Sequence, residues 1–545
     1  MRKLHQICLL IAFVCLATGV ASAQSFRVQC PTSTITHPDT TTTQLINSSE
    51  PLYAGPTYTG TNGYGTAPTN VNGAIKCQQI AGGDGFATMG DGTQTYMFSF
   101  GPLSGLSYIA SGQPGTDFPS EFNTVYSGAT RLMPGDPATT DDPSGAGGSS
   151  IKLSAFTYNG AVGLVPDADA IAAGTCTAPC LDGHVDPRQM LDIGVMNGNI
   201  PAPLMAIDED DEFFLTLSNV GMIMRPDLFE QHTVHFHGYP NASAFYDGVP
   251  DASVAINIGG SFTYYYLAPD AGTYFWHCHI TPPEHLQMGM VGQLYVRPRQ
   301  NRVPVGQGLY TYLGYQQNDL RTACPLSSDT VHSDILCSNP LPAGGSAVNT
   351  ATRVSTGGYA YNDGDGSTYY DVEYPLQIHG FDPNFHFVGM TFNPEGFADM
   401  KDKYFLLNGR SYPDTVASGP METQTTDGAN HFSQPLPSII NIPAGKKALL
   451  RISDLDVTEY QTLASLGIPM HVIGYNAKLL RDQSGNNLDY YTNSITLAGG
   501  ESLDVILDAT GYTAGQVFYL YTPNLDHLSN DAENFGGLMT EVHIN

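Results

Sequence analysis

The stretch YFWHCHITPPEHLQMGM, residues 274–290, is denser in metal-seeking groups than any other part of the chain. Cys278 lies between His277 and His279, and His285 and Met290 follow. Upstream, QHTVHFHGYP adds three histidines, which are His232, His235 and His237. Thiolate, imidazole and thioether groups in combination are ligands that suit copper. The two segments therefore predict copper binding.

Side-chain alternation on β-strands would divide these ligands between two faces of a sheet. If QHTVHFHG is extended, His235 and His237 share one face and His232 points to the other. Cys278 likewise points away from the histidines on either side of it. Two neighbouring strands would then present His232 with Cys278 on one face. The opposite face would carry a set of four histidines, namely His235, His237, His277 and His279.

The loop after Cys278 completes the first of these two sets with His285 and Met290. Two imidazoles, a thiolate and a weak axial thioether form the ligand set of a blue-copper electron-transfer site. Met288 is a competing axial ligand. We favour Met290, because the glycine before it lets the chain turn back beneath the metal.

The elements that position these ligands are predicted to be β-strands. The chain of 545 residues is long enough for two or three domains, and its 59 Gly, 37 Pro and 31 Tyr with few charged residues indicate an all-β protein rich in turns. A weak internal repeat is also present: ITLAGGESLDVILD corresponds to INIGGSFTYYYLAP, and FYLYTP corresponds to YFWHCH. The sequence thus predicts two β-sandwich domains of the same kind.

The predicted domain organisation has five parts. These are a signal peptide at 1–23, an extended N-terminal segment at 24–80, a first copper-binding domain at 81–300 with an insertion at about 112–190, a linker region at 301–369, and a second domain at 370–545 that has lost most copper ligands. Near the start of the second domain, HGFDPNFH carries His379 and His386. We interpret it as a structural segment, with an added metal site as the alternative.

Cysteine usage and charge limit where the protein works and what it binds. The signal peptide implies export to the periplasm or the extracellular space, and no later apolar run is long enough to span a membrane. Six cysteines other than Cys278 remain after its removal, and local pairing suggests the disulfides Cys30–Cys77, Cys176–Cys180 and Cys324–Cys337. In CTAPCLDGH, Cys176, Cys180 and His184 are alternatively metal ligands. The formal charge of −30 argues against nucleic-acid and membrane-surface partners.

Three segments resemble the multicopper oxidase family of cupredoxin-fold proteins: HTVHFHG, YDGVP at Tyr246–Pro250, and GTYFWHCHITPPEHLQMGM. The likeness is close over about residues 197–298 and looser over 403–545. It implies two cupredoxin-like Greek-key β-sandwich domains, with long loop insertions, and copper as the cofactor.

The resemblance also implies a role for each ligand. His232, Cys278, His285 and Met290 would hold the blue copper. His235, His237, His277 and His279 would form half of an oxygen-reducing copper cluster. Asp247, in YDGVP, would assist proton delivery to oxygen, although a turn residue before Gly248 is an equally good interpretation.

The second domain departs from the family pattern. A complete cluster needs further histidine pairs from another domain, but PMHVIGYN keeps only His471, at the place of His235. Ile473 then stands where His237 would, and Ile468 where His232 would. The stretch around Leu520–Pro523 takes the place of HCH and contains no histidine. The loop from Cys278 to His285 is also two residues longer than the family's usual HCHIxxH.

Three functions remain open at this point. The preferred one is a secreted oxidase that passes electrons from a phenolic or metal-ion donor to oxygen, with a homotrimer as one way to complete the cluster. The second is a non-enzymatic blue-copper electron carrier. The third resembles copper nitrite reductases, with His237 and His277 joined by His527 of a neighbouring subunit, although that family usually has Asp at the place of His235. The oxidase is preferred because four crowded imidazoles need partners when buried.

Overall fold

The computed structural model describes most of both predicted domains. The described residues are 29–31, 34, 74–105, 108–109, 112–122, 139–140, 155–156, 198–209, 211–222, 225, 227–239, 243–268, 270–303, 306, 308–310, 342, 357–389, 396–424, 430–531, 533–534 and 536–545. The predicted signal peptide, most of the N-terminal segment and insertion, and the cysteine pairs Cys176–Cys180 and Cys324–Cys337 lie outside them.

The first half of the chain forms a sandwich of two four-stranded sheets, with orders β2-β1-β6-β8 and β5-β10-β9-β7. Its strands are β1 (Ile75–Thr88), β2 (Gln94–Pro102), β3 (Thr139–Thr140), β4 (Ala155–Phe156), β5 (Met205–Asp208), β6 (Glu212–Gly221), β7 (His235–Phe236), β8 (Ser261–Leu267), β9 (Gly272–His277) and β10 (Val291–Arg297). Alternate residues of β8, Phe262, Tyr264 and Tyr266, are buried in the core between the sheets. Strands β3 and β4 pair separately.

The second half forms another sandwich, with sheet orders β14-β13-β18-β24-β20-β21 and β17-β26-β25-β19-β23. The strands are β11 (Gly358–Tyr359), β12 (Tyr369–Tyr370), β13 (Val372–Phe381), β14 (Tyr404–Leu407), β15 (Met421–Gln424), β16 (Asn430–Ser433), β17 (Ile440–Ile442), β18 (Lys447–Asp454), β19 (Gln461–Leu466), β20 (Met470–Tyr475), β21 (Lys478–Leu479), β22 (Tyr490–Thr492), β23 (Ser494–Leu497), β24 (Ser502–Asp508), β25 (Val517–Tyr521) and β26 (Met539–Ile544). Strand β22 pairs with β20, and the pairs β11–β12 and β15–β16 stand apart.

Helices are short in the described part of the chain. The α-helices are α1 (Pro119–Phe122), α2 (Pro282–Gln287) and α3 (Pro383–Gly389). The 3-10 helices are Ala244–Tyr246, Arg299–Arg302, Phe397–Asp399, Asp414–Val416 and Leu525–Leu528. Among these helices, none has the length and apolar character needed to cross a membrane. The prediction of an all-β protein is confirmed.

The two sandwiches repeat one topology. In each, a first strand pairs in parallel with a later one (β1 with β6, β13 with β18), and the last strand pairs in parallel with an early one (β10 with β5, β26 with β17). The strand antiparallel to that last strand is β9 in the first sandwich and β25 in the second. Strand β7 then pairs with β9 as β19 pairs with β25.

This pairing corrects the predicted position of His471. Strand β20, which carries His471, lies in the other sheet beside β24 and β22. The counterpart of β7 is β19, so His471 does not occupy the place of His235, nor Ile473 that of His237. PMHVIGYN resembles the histidine segment QHTVHFHG in its local pattern. The counterpart of β7 is nevertheless decided by pairing with β25, and the strand that pairs with β25 is β19.

Two boundaries also differ in detail from the predicted organisation. Strand β1 begins at Ile75, inside the predicted extended segment, because Ile75 and its neighbours pair with β6. Strands β11 and β12 lie in or at the end of the predicted linker region. The predicted disulfide Cys30–Cys77 is present and ties the N-terminal segment to β1.

Candidate metal centre

Cys278 follows directly after β9 and is fully buried. Its backbone N–H donates to the carbonyl of Met290 at 3.1 Å, so the strand and the returning loop hold it from both sides. Its sulfur lies 3.8 Å from Nδ1 of His232 and 3.2 Å from Nδ1 of His285. The structure thus brings together Cys278, His232 and His285, with all three ligand atoms within 4.8 Å of one another.

His232 reaches this site through a gap left by a glycine. A bridge between His232 and Ile256 fixes its backbone, and its side chain lies against Gly82 in β1. A Cβ at Gly82 would stand only 2.7 Å from Cδ2 of the imidazole. The sequence interpretation missed Gly82, although a glycine pair inside a strand is a signal for close approach of another group.

His285 lies in α2, which begins after Thr281 in the left-handed conformation at φ 37°. Its Nε2 points away from Cys278 and lies 3.4 Å from Oε2 of Glu230, a carboxylate that is one-quarter exposed. Burial opposes protonation of His285, but the Cys278 sulfur and the Glu230 carboxylate together raise its pKa to about 10. Glu230, which the sequence interpretation also missed, connects this imidazole to the surface.

Both candidate axial methionines are fully buried in the core of the first sandwich. Met290 is hydrogen-bonded through its backbone to Cys278 and to His285. The sulfur of Met288 lies near Gly389 at the end of α3, where an added Cβ would be 3.4 Å from it. The backbone position beside Cys278 favours Met290 as the axial ligand.

The four remaining histidines meet on the opposite side of β9. His235 and His277 are paired across β7 and β9, and ligand atoms of His235, His277 and His279 lie within 4.8 Å of one another. Nε2 of His237 lies 2.9 Å from Nε2 of His277. The two predicted sets therefore lie back to back around Cys278.

Hydrogen bonds at the outer nitrogens orient three of these imidazoles. Nδ1 of His277 lies 2.6 Å from the carbonyl of Cys278, and Nδ1 of His235 lies 2.7 Å from the carbonyl of Asp247. The carbonyl of Gly500 accepts a hydrogen bond from His237. With each Nδ1 donating, the Nε2 lone pairs of His237 and His277 face each other. Such an arrangement is repulsive unless a cation lies beside them, so these residues fit a bound metal ion.

Burial keeps these imidazoles uncharged at neutral pH. Burial, followed by the neighbouring histidines, lowers the pKa of His237 to about 4 and that of His277 well below its usual value. The pKa of His235 is also lowered, chiefly by burial. Neutral imidazoles are the form that ligates metals, so His235, His237 and His277 are prepared for binding.

Asp247 touches the histidine set mainly through its backbone. Its carbonyl accepts from His235, and its carboxylate Oδ2 lies 3.4 Å from the same nitrogen. The side chain is 29% exposed, so it also reaches solvent. Gly248 beside it has φ 84°, and a Cβ there would collide with the Val234 carbonyl at 1.9 Å. The tight turn at Gly248 thus directs the Asp247 carbonyl toward Nδ1 of His235.

Comparison with known proteins shows what the segment carrying these ligands is similar to. Residues 182–301 match the family model described as multicopper oxidase. Multicopper oxidase MCE of Talaromyces pinophilus is 33% identical over 131 residues, 24% of this chain and 20% of that protein. Laccase abr2 of Aspergillus fumigatus is 33% identical over 109 residues, 20% of this chain and 17% of that protein.

The matched part thus spans about a fifth of the length of these relatives. Among solved structures, the blue copper oxidase from Nitrosomonas europaea aligns with 64% of this chain and 78% of its own, at 20% identity and a TM-score of 0.41. Similarity to the multicopper oxidase model implies copper as the cofactor of the matched segment.

The second sandwich contains a counterpart of the Cys278 site of the first sandwich, in which only the histidine at the place of His285 is kept. Thr522 N–H donates to the Leu538 carbonyl, and Leu538 N–H donates to the His527 carbonyl. The backbones of Cys278, Met290 and His285 are linked in the same way. Ala464 pairs with Tyr521 as His235 pairs with His277. The corresponding sets are His232, Cys278, His285 and Met290 in the first sandwich and Gln461, Thr522, His527 and Leu538 in the second.

In the second sandwich, a hydrogen bond joins the two residues at the places of His285 and His232. Nδ1 of His527 lies 2.9 Å from Oε1 of Gln461, and its Nε2 lies 2.8 Å from Nδ2 of Asn524 and 3.2 Å from Oε2 of Glu459. His527 is 4% exposed and stacks on Phe405 at 3.8 Å between ring centroids. Both of its nitrogens are occupied inside its own domain, which argues against a role as ligand to a neighbouring subunit.

His471 is separate from both sets of the first sandwich. Its Nε2 lies 3.0 Å from Oδ2 of Asp489, and its ring stacks on Tyr491 at 4.3 Å between centroids. Within the described residues, the groups able to hold a metal ion are His232 with Cys278 and His285, and His235 with His277 and His279.

Proposed function

We propose that this chain is an exported, copper-dependent oxidoreductase of multicopper oxidase type. It would take electrons from a phenolic or metal-ion donor beside His285 and deliver them to oxygen at the four-histidine set. The observation that supports this proposal best is the position of Cys278, whose sulfur belongs to one set while the adjacent His277 and His279 belong to the other. A single run of backbone therefore connects the two sets.

The residues that would hold copper follow from the free ligand atoms. In the first site these are Nδ1 of His232, Nδ1 of His285 and the Cys278 sulfur, with Met290 as the axial ligand. In the second they are the inward nitrogens of His235, His237, His277 and His279. Copper, when bound, would supply one-electron redox chemistry at the first site and oxygen reduction at the second.

The donor is expected to dock beside His285. Glu230 stands 3.4 Å from its outer nitrogen and is one-quarter exposed, so a donor that meets Glu230 is within reach of the imidazole. A carboxylate there accepts the proton of a phenol or attracts a metal cation. Glu284, whose pKa is raised chiefly by burial, lies next to His285 and adds a second carboxyl group. The formal charge of −30 favours cationic donors further.

Proton supply to the second site is assigned to Asp247. Its carboxylate lies 3.4 Å from Nδ1 of His235 and is 29% exposed, so it connects the histidine set with solvent. Its carbonyl separately holds the His235 ring. A side chain that reaches both water and the set can relay protons while the backbone keeps the ligand in place.

An electron carrier is the second candidate function. Its support is the second sandwich, where the counterparts of His277, Cys278 and His279 are Tyr521, Thr522 and Pro523, which offer no imidazole. As an oxidase, the chain would need ligands from elsewhere, and a second copy in a homotrimer is the proposed source. Both nitrogens of His527 have partners within the second domain, so a nitrite-reductase arrangement that uses His527 of a neighbouring subunit loses its main support.

Copper stoichiometry, optical and spin-resonance spectra, and oxygen uptake with a phenol or with Fe(II) would test the proposal. We expect blue absorption together with more than one copper per chain and oxygen uptake. His277→Ala should abolish oxygen uptake while the blue absorption persists. One copper per chain with blue absorption and no oxygen uptake would instead establish the carrier.

A matched pair of variants tests the donor site. Glu230→Gln should slow oxidation of the donor, because it removes the carboxylate beside His285. Glu459→Gln changes the carboxylate at the same relative place beside His527, which faces no predicted copper. Equal donor kinetics in the two variants would argue against the assigned donor site.

A further inference from the structure

Helix α2 and the turn after it, residues 282–290, carry His285 and Met290 and form the copper loop. This loop lies outside both sheets of the first sandwich. Thr281 enters it at φ 37° and Gly289 leaves it at φ 111°, so strand pairing does not fix its course. The position of His285 relative to Cys278 therefore depends on what holds the loop from outside.

Gln287 is the side chain of the loop that the second domain holds most directly. It is fully buried, and its Nε2 donates to Oδ1 of Asp402 at 2.9 Å. The backbone N–H of Asp382 donates to its Oε1 at 2.8 Å. Nε2 of His386 lies 2.9 Å from the Gln287 carbonyl. Three groups of the second domain thus fix one residue that is two positions from His285.

The same part of the second domain enters the core of the first. Phe385, in α3, belongs to the buried cluster that contains Cys278, Met288 and Met290. Phe381, at the end of β13, packs in another buried cluster with Leu286. The HGFDPNFH segment therefore supplies both apolar and polar contacts to the loop. This gives the segment a structural role, as the sequence interpretation favoured.

Groups that hold metal ligands in place are expected to need positions as well defined as those of the ligands themselves. A ligand must stay within about 0.5 Å of its productive position, and loss of an outer hydrogen bond weakens metal binding by about 10- to 100-fold. A fully buried amide with both polar atoms satisfied by another domain has the rigidity for that role.

We propose that Gln287 is a positioning residue through which the second domain, by Asp402, Asp382 and His386, sets the geometry of the blue-copper loop. The inference rests on the proposed function, since it assigns Gln287 a role toward the copper held by His285 and Met290. It makes the second domain, which has lost its own copper ligands, a structural determinant of the copper site in the first. Its consequence is that changes in the second domain alter the blue copper without touching a ligand.

The test replaces the amide by a side chain of similar length and no hydrogen bonds, Gln287→Met. We expect copper bound at the blue site about 10-fold more weakly or worse, with a shifted absorption spectrum and reduction potential. Gln293→Met is the matched control, because Gln293 is also fully buried and donates across the domain interface, to Arg451 O and Ser453 Oγ. It should lower stability while leaving the blue spectrum and copper affinity unchanged.

A second pair of variants approaches the same contact from the other domain and covers the case in which Gln287→Met does not fold. Asp402→Ala removes the acceptor of Gln287 and should weaken copper binding, whereas Asp402→Asn keeps an acceptor oxygen and should preserve it. Equal copper affinity, spectrum and potential in Asp402→Ala, Gln287→Met and the Gln293→Met control would overturn the inference. Absence of blue absorption from the unmodified protein would overturn the proposed function itself, which is a different result.

Discussion

Replacing Gly82 by alanine is expected to disturb the proposed blue-copper site without changing any of its proposed ligands. A Cβ at this position would lie 2.7 Å from Cδ2 and 3.1 Å from Cγ of the His232 ring. Carbon atoms pack best at about 3.5–4.0 Å, so the ring would have to retreat by about 1 Å. Gly82 is not among the glycines with positive φ, so the effect of the methyl group is steric.

A retreat of this size exceeds what a metal site tolerates, since ligands must hold their positions to within about 0.5 Å. His232 has little freedom to adapt, because it is fully buried and its backbone is bridged to Ile256. We expect Gly82→Ala to weaken copper binding at the Cys278 site by about 10- to 100-fold. The free energy of unfolding should fall by only about 1–3 kcal/mol, the usual cost of overpacking.

The assay is competition for copper with a chelator, combined with blue absorption and chemical denaturation. Gly396→Ala is the control, because Gly396 has φ −71° and an added Cβ would meet only the flexible Asp399 carboxylate, at 3.1 Å. A folded Gly82→Ala protein with unchanged copper affinity and blue absorption would refute the steric reasoning. A Gly82→Ala protein that fails to fold would also contradict the reasoning, because the free energy of unfolding is predicted to fall by only about 1–3 kcal/mol.

Three further outcomes are expected. Arg451→Met should lower the free energy of unfolding by about 1–3 kcal/mol in chemical denaturation, because it removes the fully buried guanidinium that lies 3.0 Å from the partly buried Glu373 carboxylate and leaves only Arg297 beside it. Burial opposes ionisation of Glu373, but Arg297 and Arg451 lower its pKa to about 2, below an unfolded value of about 4.3. The stability it contributes should be complete above the unfolded pKa and be lost as the pH falls toward 2, and melting curves of Glu373→Gln should lack this component. Asp247→Asn should keep its copper, because the backbone carbonyl holds His235, but reduce oxygen about 100-fold more slowly, and unchanged oxygen uptake would contradict its proton-relay role.

Which of these side chains share a face could be predicted, because it depends on the alternation of side chains along each extended segment. Consecutive residues of an extended chain point to opposite faces, so HCH alone places Cys278 opposite His277 and His279. The structure brings His232 and His285 to the first face and His235 to the other. Local pattern was sufficient for these contacts, and for the alternation of buried residues in β8.

Groups that come from distant parts of the chain could not be predicted in this way. Gly82 lies 150 residues before His232, and its importance arises only when β1 passes beside that imidazole. The position of His471 depended on which of two adjacent strands, β19 or β20, pairs with β25. Strand pairing is non-local, and adjacent strands in the chain can belong to different sheets, so the PMHVIGYN pattern led to the wrong partner.

The second sandwich offers a strict test of the correspondence between the two domains. Glu459 and Gln461 are two residues apart, as Glu230 and His232 are, and each carboxylate lies beside the histidine of its own set. In particular, the outer nitrogen of His527 lies 3.2 Å from Glu459, and that of His285 lies 3.4 Å from Glu230. Phe405 in β14 contacts His527 and Phe98 in β2 contacts His285, although the first pair is stacked and the second meets edge to face. The second site therefore lacks three ligand side chains but keeps the framework around them.

Restoring those side chains should create a second blue-copper site. The variant combines Gln461→His, Thr522→Cys and Leu538→Met in a Cys278→Ser background, so that any blue absorption arises from the second sandwich. A histidine at position 461 can donate to Asp456, whose Oδ2 accepts from Gln461 at 2.7 Å, and the Glu459 carboxylate can accept from the outer nitrogen of His527. Both ligand rings would then be oriented as metal-bound histidines require. Blue absorption that disappears on His527→Ala would support the correspondence, whereas a folded, copper-treated variant without it would show that shared topology does not preserve the geometry of the site.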